Sequence, residues 1–388
     1  MRPLFRQNGC GGWVKMTDLK TNIGGLELRN PFILASGPLS YDGEAILRAH
    51  RAGAGAVVTK TISRVPATNP IPHIARVPGG LLNGEKWSDL PYERWIEREI
   101  PLAKEGGAIV IASLGLTPAA VAALARPIVK AGVDALEIAS YDGASLVPMV
   151  REAAQMVEIP VLAKVSSNWP DVVEIAAACL QNGAAGITAI DSIGPALRLD
   201  IEKRVPLLGS GYGWLTGGMI FPVALRVVSQ VALATGATIV GTGGIGSVDD
   251  CLEMFIAGAH AVGLCTLPML RGLSSFADLE EKLSLRLHEL GYQNLQGAIG
   301  AALPSLREYE GATEGVGLPT RGKEYAARAS FAWEEARCTD CGLCVRICPY
   351  SARTSPEEVD LSQCRFCGLC ASACPTGALD LLVEGKEE

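Results

Sequence analysis

Eight short apolar runs alternating with helical-period stretches between Asn30 and Gly272 predict an α/β fold, a closed (β/α)8 TIM barrel. A cluster of eight of the twelve cysteines between Cys338 and Cys374 predicts a small α+β domain after it. The 388 residues, 48% of them hydrophobic, leave room for one large core and one small one.

The runs are Phe32 to Ala35, Ala56 to Thr59, Ala108 to Leu114, Ala135 to Ile138, Val161 to Val165, Gly186 to Ile190, Thr238 to Val240 and Ala261 to Cys265. Strands of a parallel sheet are covered on both faces, so they read as continuous apolar runs rather than alternating ones. Helical patterns separate most of them, as at Pro118 to Lys130, Asp171 to Gln181, Pro222 to Ala234 and Asp249 to Ala257. A Rossmann sheet is the competing architecture, because Gly241, Gly243 and Gly246 spell Gly-x-Gly-x-x-Gly after a strand. That fold needs an Asp or Glu about twenty residues on to hold a ribose. The next strand instead ends Gly263-Leu264-Cys265-Thr266. Late in a barrel, a glycine loop after the seventh strand reads as a phosphate cradle.

A helical segment follows Gly272 through Leu290, and Gly297 to Gly322 is punctuated by Gly and Pro as a tether is. The expected layout is residues 1–16 as an N-terminal tail, 17–296 as the barrel, 297–330 as a linker and 331–388 as the cysteine-rich domain. Met16 opens the first patterned stretch and is a candidate translation start. Met1 to Lys15 has no apolar centre of the kind a secretory signal needs, and no apolar run reads as long enough to span a bilayer. A net charge of −7 and a pI near 5.4 offer no basic stripe for a nucleic acid. A soluble, cytoplasmic protein is expected, and thiolate metal ligands suit that reducing compartment.

The cysteines form two copies of Cys-x-x-Cys-x-x-Cys-x-x-x-Cys-Pro: Cys338, Cys341, Cys344, Cys348 and Pro349, then Cys364, Cys367, Cys370, Cys374 and Pro375. This spacing wraps a short chain around a cubane 4Fe-4S cluster, whereas a zinc site needs neither the third cysteine nor the proline. In two-cluster ferredoxins of this type the fourth cysteine of each run ligates the other cluster. One set is then Cys338, Cys341, Cys344 and Cys374, and the other Cys364, Cys367, Cys370 and Cys348. Cys10, Cys179, Cys251 and Cys265 lack ligand spacing, and the last three read as buried thiols in barrel elements.

The stretch Asn30-Pro31-Phe32-Ile33-Leu34-Ala35-Ser36-Gly37, the Thr59-Lys60-Thr61 strand end and the paired glycine loops resemble the dihydroorotate dehydrogenase family. Asn83-Gly84-Glu85, followed by Ser88 and Trp95, is similar to the dihydropyrimidine dehydrogenases, in which the flavin domain continues into a two-cluster ferredoxin module. The resemblance implies FMN across the top of the barrel. Ala35, Ser36 and Gly37 are small enough for backbone to approach the flavin ring. Lys60 and Lys164, each at a strand end, place positive charge near flavin N1 and O2; the alternatives for either are a surface ion pair or a Schiff base. Gly217, Gly218, Gly243, Gly244 and the segment Gly263 to Thr266 supply backbone amides for the FMN phosphate, against the reading that they only make turns.

The loop after the fourth strand departs from the family. Where the dihydropyrimidine enzymes carry Asn, two residues and a catalytic Cys, this chain reads Ala139-Ser140-Tyr141-Asp142, and Asp191-Ser192 replaces an Asn-Thr pair after the sixth strand. Asn83, Glu85, Asp191 and Ser192 are the expected substrate contacts. Asp142 or Tyr141 is expected to replace the thiol, a carboxylate suiting proton abstraction and a phenol suiting donation, unless Asp142-Gly143 is simply a turn. His73, Arg76 and Trp87 stand in the loop after the second strand and read either an acidic or aromatic substrate or ordinary packing.

The resemblance implies an FMN- and iron–sulfur-dependent oxidoreductase acting on a C–C or C=C bond of a small dihydropyrimidine- or dihydroorotate-like substrate. Clusters imply an external electron partner, either an FAD-containing subunit that oxidises NAD(P)H or a ferredoxin, and the family implies a homo-oligomer. The rival reading is an electron-transfer subunit whose FMN barrel is a relay. A Schiff-base lyase built on Lys164 would leave the clusters unemployed.

Overall fold

Eight parallel strands close into a barrel in the computed structural model, which describes residues 5–7, 13–15, 17–308 and 329–383. The candidate start at Met16 and Cys10 lie outside the described residues. The chain divides into two units, Met1–Arg307 and Glu308–Glu388. In the first, the barrel strands are β1 (Phe32–Leu34), β2 (Ala56–Val58), β3 (Val110–Gly115), β4 (Ala135–Ala139), β5 (Val161–Val165), β6 (Gly186–Ala189), β7 (Ile239–Thr242) and β8 (Ala261–Leu264). Each pairs with its sequence neighbour, and Val262 opposite Phe32 closes the ring. These are the eight runs expected from the sequence, with ends moved by a residue or two.

Alternation within the strands builds two apolar layers. Ile33, Val58, Ile111, Leu162 and Val240 point into one cluster inside the barrel, and Ile23 and Leu28 from a short hairpin join it. Phe32, Leu34, Val57, Val110 and Ala112 face the other way, into the larger cluster shared with the helices. Those helices are α1 (Gly43–Arg51), α2 (Ile100–Glu105), α3 (Pro118–Lys130), α4 (Gly143–Met156), α5 (Val172–Gln181), α6 (Phe221–Thr235), α7 (Val248–Ile256) and α8 (Ser275–Glu289). Side-chain caps start several of them: Asp42 accepts from Ala45 N at 2.7 Å, Thr117 from Ala120 N at 3.2 Å, and Ser247 forms a capping box with Asp250.

One expectation is corrected. The segment Gly218–Thr235 is long and apolar enough, by length and composition, to cross a membrane. In this fold it is α6 and the turn before it, with Ala224, Val227, Val228 and Val231 packed into the barrel core.

The loops after β2 and β6 fold together at the carboxyl ends of the strands. A four-stranded antiparallel sheet orders Ile193–Ala196, Gly213–Thr216, Gly80–Asn83 and Ile74–Val77, setting Asn83 opposite Trp214. This wall over the barrel mouth had no strong signal in the sequence, because its strands are short and interrupted by Gly and Pro.

In the second unit, Ala329–Trp333 pairs antiparallel with Leu379–Val383, with Phe331 opposite Leu381. Two short helices, Leu343–Arg346 and Leu369–Ser372, follow the second cysteine of each run. Few apolar side chains are buried there, chiefly Ala352, Ala378 and Leu379.

Candidate active site and cluster cavities

At the carboxyl ends of the strands lies an open cleft of about 900 Å³. Ser36 and Gly37 reach it from β1, Lys60 from β2, Ser140 and Tyr141 from β4, Lys164 from β5, and Asp191 and Ser192 from β6. Asn83, Glu85 and Trp87 come from the loop after β2, and Trp214 from the long segment after β6. Parallel strands deliver their ends to one rim, which is why residues so far apart in sequence meet.

Two ion pairs organise the floor. Lys60 Nζ lies 2.5 Å from Glu85 Oε2, and Glu85 N donates to Asn83 Oδ1 at 2.9 Å. Lys164 Nζ lies 3.4 Å from Asp191 Oδ1, which also accepts from Ser192 N at 2.8 Å. Beneath them Glu137, 2% exposed, accepts from Thr188 Oγ1 at 2.9 Å through Oε2, while its Oε1 has no partner. Burial pushes the Glu137 carboxyl above its usual range, with the Lys164 charge pulling the other way. Burial alone would lower Lys164, but the carboxylates of Asp191 and Glu137 hold it above an ordinary lysine.

Tyr141 keeps 61% of its surface, and its ring centroid is 6.4 Å from that of Trp214. Desolvation of the phenol, then the Asp191 carboxylate, push it above the usual tyrosine range. Asp142 takes another position. Its carboxylate is the N-cap of α4, accepting from Ser145 N at 2.8 Å, and it is not among the residues that line the cleft. Leu116, at the cleft edge, holds a positive φ of 69°, a backbone strain that concentrates at working sites.

The glycine loops gather beside this cleft. Gly217, with φ 94°, sits where a Cβ would lie 2.7 Å from Gly80 Cα and 3.3 Å from Thr266 Cγ2, and one on Gly244 would lie 2.5 Å from Phe221 N at the start of α6. Gly218 begins the short turn into α6 and Gly243 follows β7. Gly263 lies near the end of β8 opposite Thr242, and Thr266 opens the short helix Thr266–Arg271 with Cys265 at its N-cap. Thr242 Oγ1 and Ser167 Oγ are buried hydroxyls without partners at the ends of β7 and β5. Close backbone approach and unsatisfied hydroxyls are what a phosphorylated polyol such as the FMN tail requires. Ala35, the first small residue after β1, continues the barrel pairing through Ala35 N to Leu264 O at 3.0 Å.

Of the residues not foreseen as site residues, Glu137 had a signal, a lone charge inside the buried strand Ala135–Ala139. Trp214 had none, since only the pairing of its strand with Gly80–Asn83 brings it to the cleft. Trp87 lines the cleft with its Nε1 donating to Val65 O at 2.7 Å, while His73 and Arg76 are not among the lining residues. Cys179 and Cys251 are buried in α5 and α7, burial pushing Cys179 up to about 12. Cys265 packs against Gly37 and is raised by burial to about 11.

In the second unit the cysteines ring two cavities. Cys338, Cys341, Cys344 and Cys374 line one together with Trp333. Cys348, Cys364, Cys367 and Cys370 line another together with Phe331 and Arg353. Each ring takes three cysteines from one run and the fourth from the other. Among the described residues no three His, Cys, Asp or Glu side chains close on a single metal ion; thiolates around a cubane stand further apart than ligands of one ion.

Comparison with known proteins agrees with this geometry. The family model described as dihydroorotate dehydrogenase matches residues 18–90 and 122–287, and that of a 4Fe-4S dicluster domain matches residues 337–378. The chain is 32% identical over 299 residues to the dihydroorotate dehydrogenase B (NAD(+)) catalytic subunit of Pyrococcus abyssi, covering 74% of this chain and 99% of that one. The proteins of the same description from Thermoplasma acidophilum and Trichlorobacter lovleyi are 32% identical over 303 residues and 33% over 302, covering 74% and 73% of this chain and 100% and 98% of theirs.

Proposed function

From the premise that the chain belongs to the dihydroorotate dehydrogenase family and is an FMN-dependent oxidoreductase acting on CH–CH donors, we propose that its substrate is a small dihydropyrimidine- or dihydroorotate-like compound and that two 4Fe-4S clusters link the flavin site to a partner protein. The observation that carries this reading is the convergence of Lys60 and Lys164, from β2 and β5, on one cleft beside the glycine loops. FMN bound there supplies a two-electron carrier that also exchanges electrons one at a time.

The chain's own residues supply binding and proton chemistry. Gly217, Gly218, Gly243, Gly244 and Thr266 would hold the FMN phosphate, and the small residues Ser36 and Gly37 would leave room for its ring. Lys164, paired with Asp191, would supply positive charge to the bound flavin. Tyr141 Oη is the proton donor to substrate carbon in the reducing direction, since its phenol stands in the cleft while the Asp142 carboxylate is committed to capping α4. Asn83 and Glu85 contact substrate on one side and Asp191 and Ser192 on the other. With Ala139 in the place of an amide-reading asparagine, discrimination by hydrogen bonds is reduced on that side.

The partner is an FAD-containing, NAD(P)H-oxidising subunit or a ferredoxin. The relatives' description as catalytic subunits supports a second subunit here. Anaerobic stopped-flow mixing of the holoprotein with dihydrouracil, dihydrothymine or dihydroorotate tests the substrate reading: one of them bleaches the flavin absorbance within the mixing experiment. No bleaching by any, with flavin bound and clusters reducible by dithionite, would overturn the substrate class and leave the relay reading.

A further inference from the structure

We propose that Arg353 tunes the redox potential of the cluster held by Cys348, Cys364, Cys367 and Cys370, donating N–H groups to its sulfurs and making it the higher-potential cluster of the two. The inference rests on the two-cluster reading above. Arg353 is 3% exposed and lines that cavity with the four cysteines. Its Nη1 donates to Pro356 O at 2.8 Å, but Nε and Nη2 are buried with no partner. Burying a guanidinium with two idle donors is costly unless an anion answers it. The group that the four thiolates would hold is anionic in both oxidation states and gains one more negative charge on reduction.

The side chain is locked in place. Its Cζ lies 4.6 Å from the Phe331 ring centroid, and Phe331 stacks on Phe366 at 5.8 Å with an interplanar angle of 12°. The other cavity differs in charge. Trp333, two residues along the same strand, lines the cavity of Cys338, Cys341, Cys344 and Cys374, and its Nε1 is buried and unpartnered, a neutral donor where the second ring has a cation. Arg337 and Arg346 approach that first ring but are exposed. They are bonded to Glu334, Thr376 O and Cys341 O, so solvent screens them. A buried cation stabilises the more negative, reduced state, so the Arg353 cluster accepts an electron more readily than its neighbour.

The test is a reductive titration of the full-length holoprotein followed by electron paramagnetic resonance, with iron and acid-labile sulfide measured first. Wild type is expected to give two one-electron waves. In Arg353→Leu the upper wave falls so that its reduced-to-oxidised ratio at fixed potential drops about tenfold, 59 mV for one electron, and the lower wave moves less. Arg353→Lys recovers part of the fall by keeping the charge without the fork. Arg353→Gln, which keeps an N–H donor without the charge, falls nearly as far as Leu, and it decides the matter if the Leu protein loses its cluster. Loaded variants with both waves unmoved would overturn the role of Arg353. Wild-type protein lacking iron and sulfide for two cubanes would overturn the cluster reading itself.

Discussion

Lys60 and Glu85, 25 residues apart in sequence, form a 2.5 Å ion pair in the cleft floor, with side chains only 9% and 11% exposed. The lysine at the end of β2 is thus charge-balanced by the protein itself, and Glu85 is fixed through Asn83 to the antiparallel sheet. Removing one partner leaves the other buried and unpaired, which costs far more than removing both.

The first prediction follows from that asymmetry. Lys60→Met is expected to lower stability by about 3 kcal/mol and to abolish turnover. The double variant Lys60→Met/Glu85→Gln recovers most of the stability but none of the turnover. Denaturant unfolding of the two proteins checks this, and a double variant no more stable than the single one would show that the pair is not coupled.

The second concerns the loop after β4. Asp142→Ala removes the α4 cap and is expected to cost about 1 kcal/mol while turnover stays within a few-fold. Tyr141→Phe leaves stability intact and slows substrate reduction on the order of 100-fold. The phenol must be protonated to donate, and desolvation followed by Asp191 raises it. The rate therefore holds through neutral pH and falls only above about 10. Steady-state profiles of wild type and Asp191→Asn check the sign, because removing that carboxylate brings the fall to lower pH.

The barrel was readable because β1 to β8 are buried on both faces, so each run stood out without knowledge of its partners. The cap at Asp142 was not read from the sequence. Asp142-Gly143 fitted a simple turn or a catalytic group, and the bond from Ser145 N shows the carboxylate capping α4. Trp214 was not readable, since nothing near it in sequence says that its strand lies beside Gly80–Asn83. The setting of Gly263 was not readable either, since only the register of β7 and β8 places it against Thr242.

The third prediction isolates a packing contact under the expected flavin ring. Gly37 has extended backbone, so its lack of a side chain is needed for space alone. A Cβ there would lie 2.6 Å from Cys265 Sγ. Gly37→Ala is expected to cost about 1–3 kcal/mol and to weaken flavin retention. Cys265→Ala in the same chain opens the space and restores both, measured as flavin absorbance after gel filtration.

The fourth concerns metal removal. With Ala352, Ala378 and Leu379 among its few buried apolar residues, the second unit cannot hold its fold on hydrophobic burial alone. Stripping iron with a chelator under oxidising conditions is expected to expose the amides of residues 329–383 to hydrogen exchange while β3 and β4 stay protected. Retained protection of the strand pair Ala329–Trp333 and Leu379–Val383 would refute the coupling of cluster binding to folding.

The last prediction lies away from the cleft, at Glu99, the last residue of the π-helical turn Trp95–Glu99, fully buried against the start of α1. Its carboxylate accepts from Arg94 Nε at 2.7 Å, Arg98 Nη1 at 2.9 Å and Gly43 N at 2.8 Å. Burial by itself would raise its pKa, but the bonds from Arg94 and Gly43 N and the Arg98 charge outweigh it and hold the group below an ordinary glutamate. A depressed folded-state pKa means that the stabilisation is present above the unfolded value of about 4.3 and is lost as pH falls through the folded one. The arginines are 45% and 59% exposed, so solvent discounts the pair, and Glu99→Gln is expected to cost about 1–2 kcal/mol at pH 7. Denaturant midpoints of the two proteins should differ by a constant amount from pH 8 to pH 5, about a unit above that unfolded value, and converge only below it. Convergence already above pH 5 would mean that the carboxylate is not held ionised by these partners.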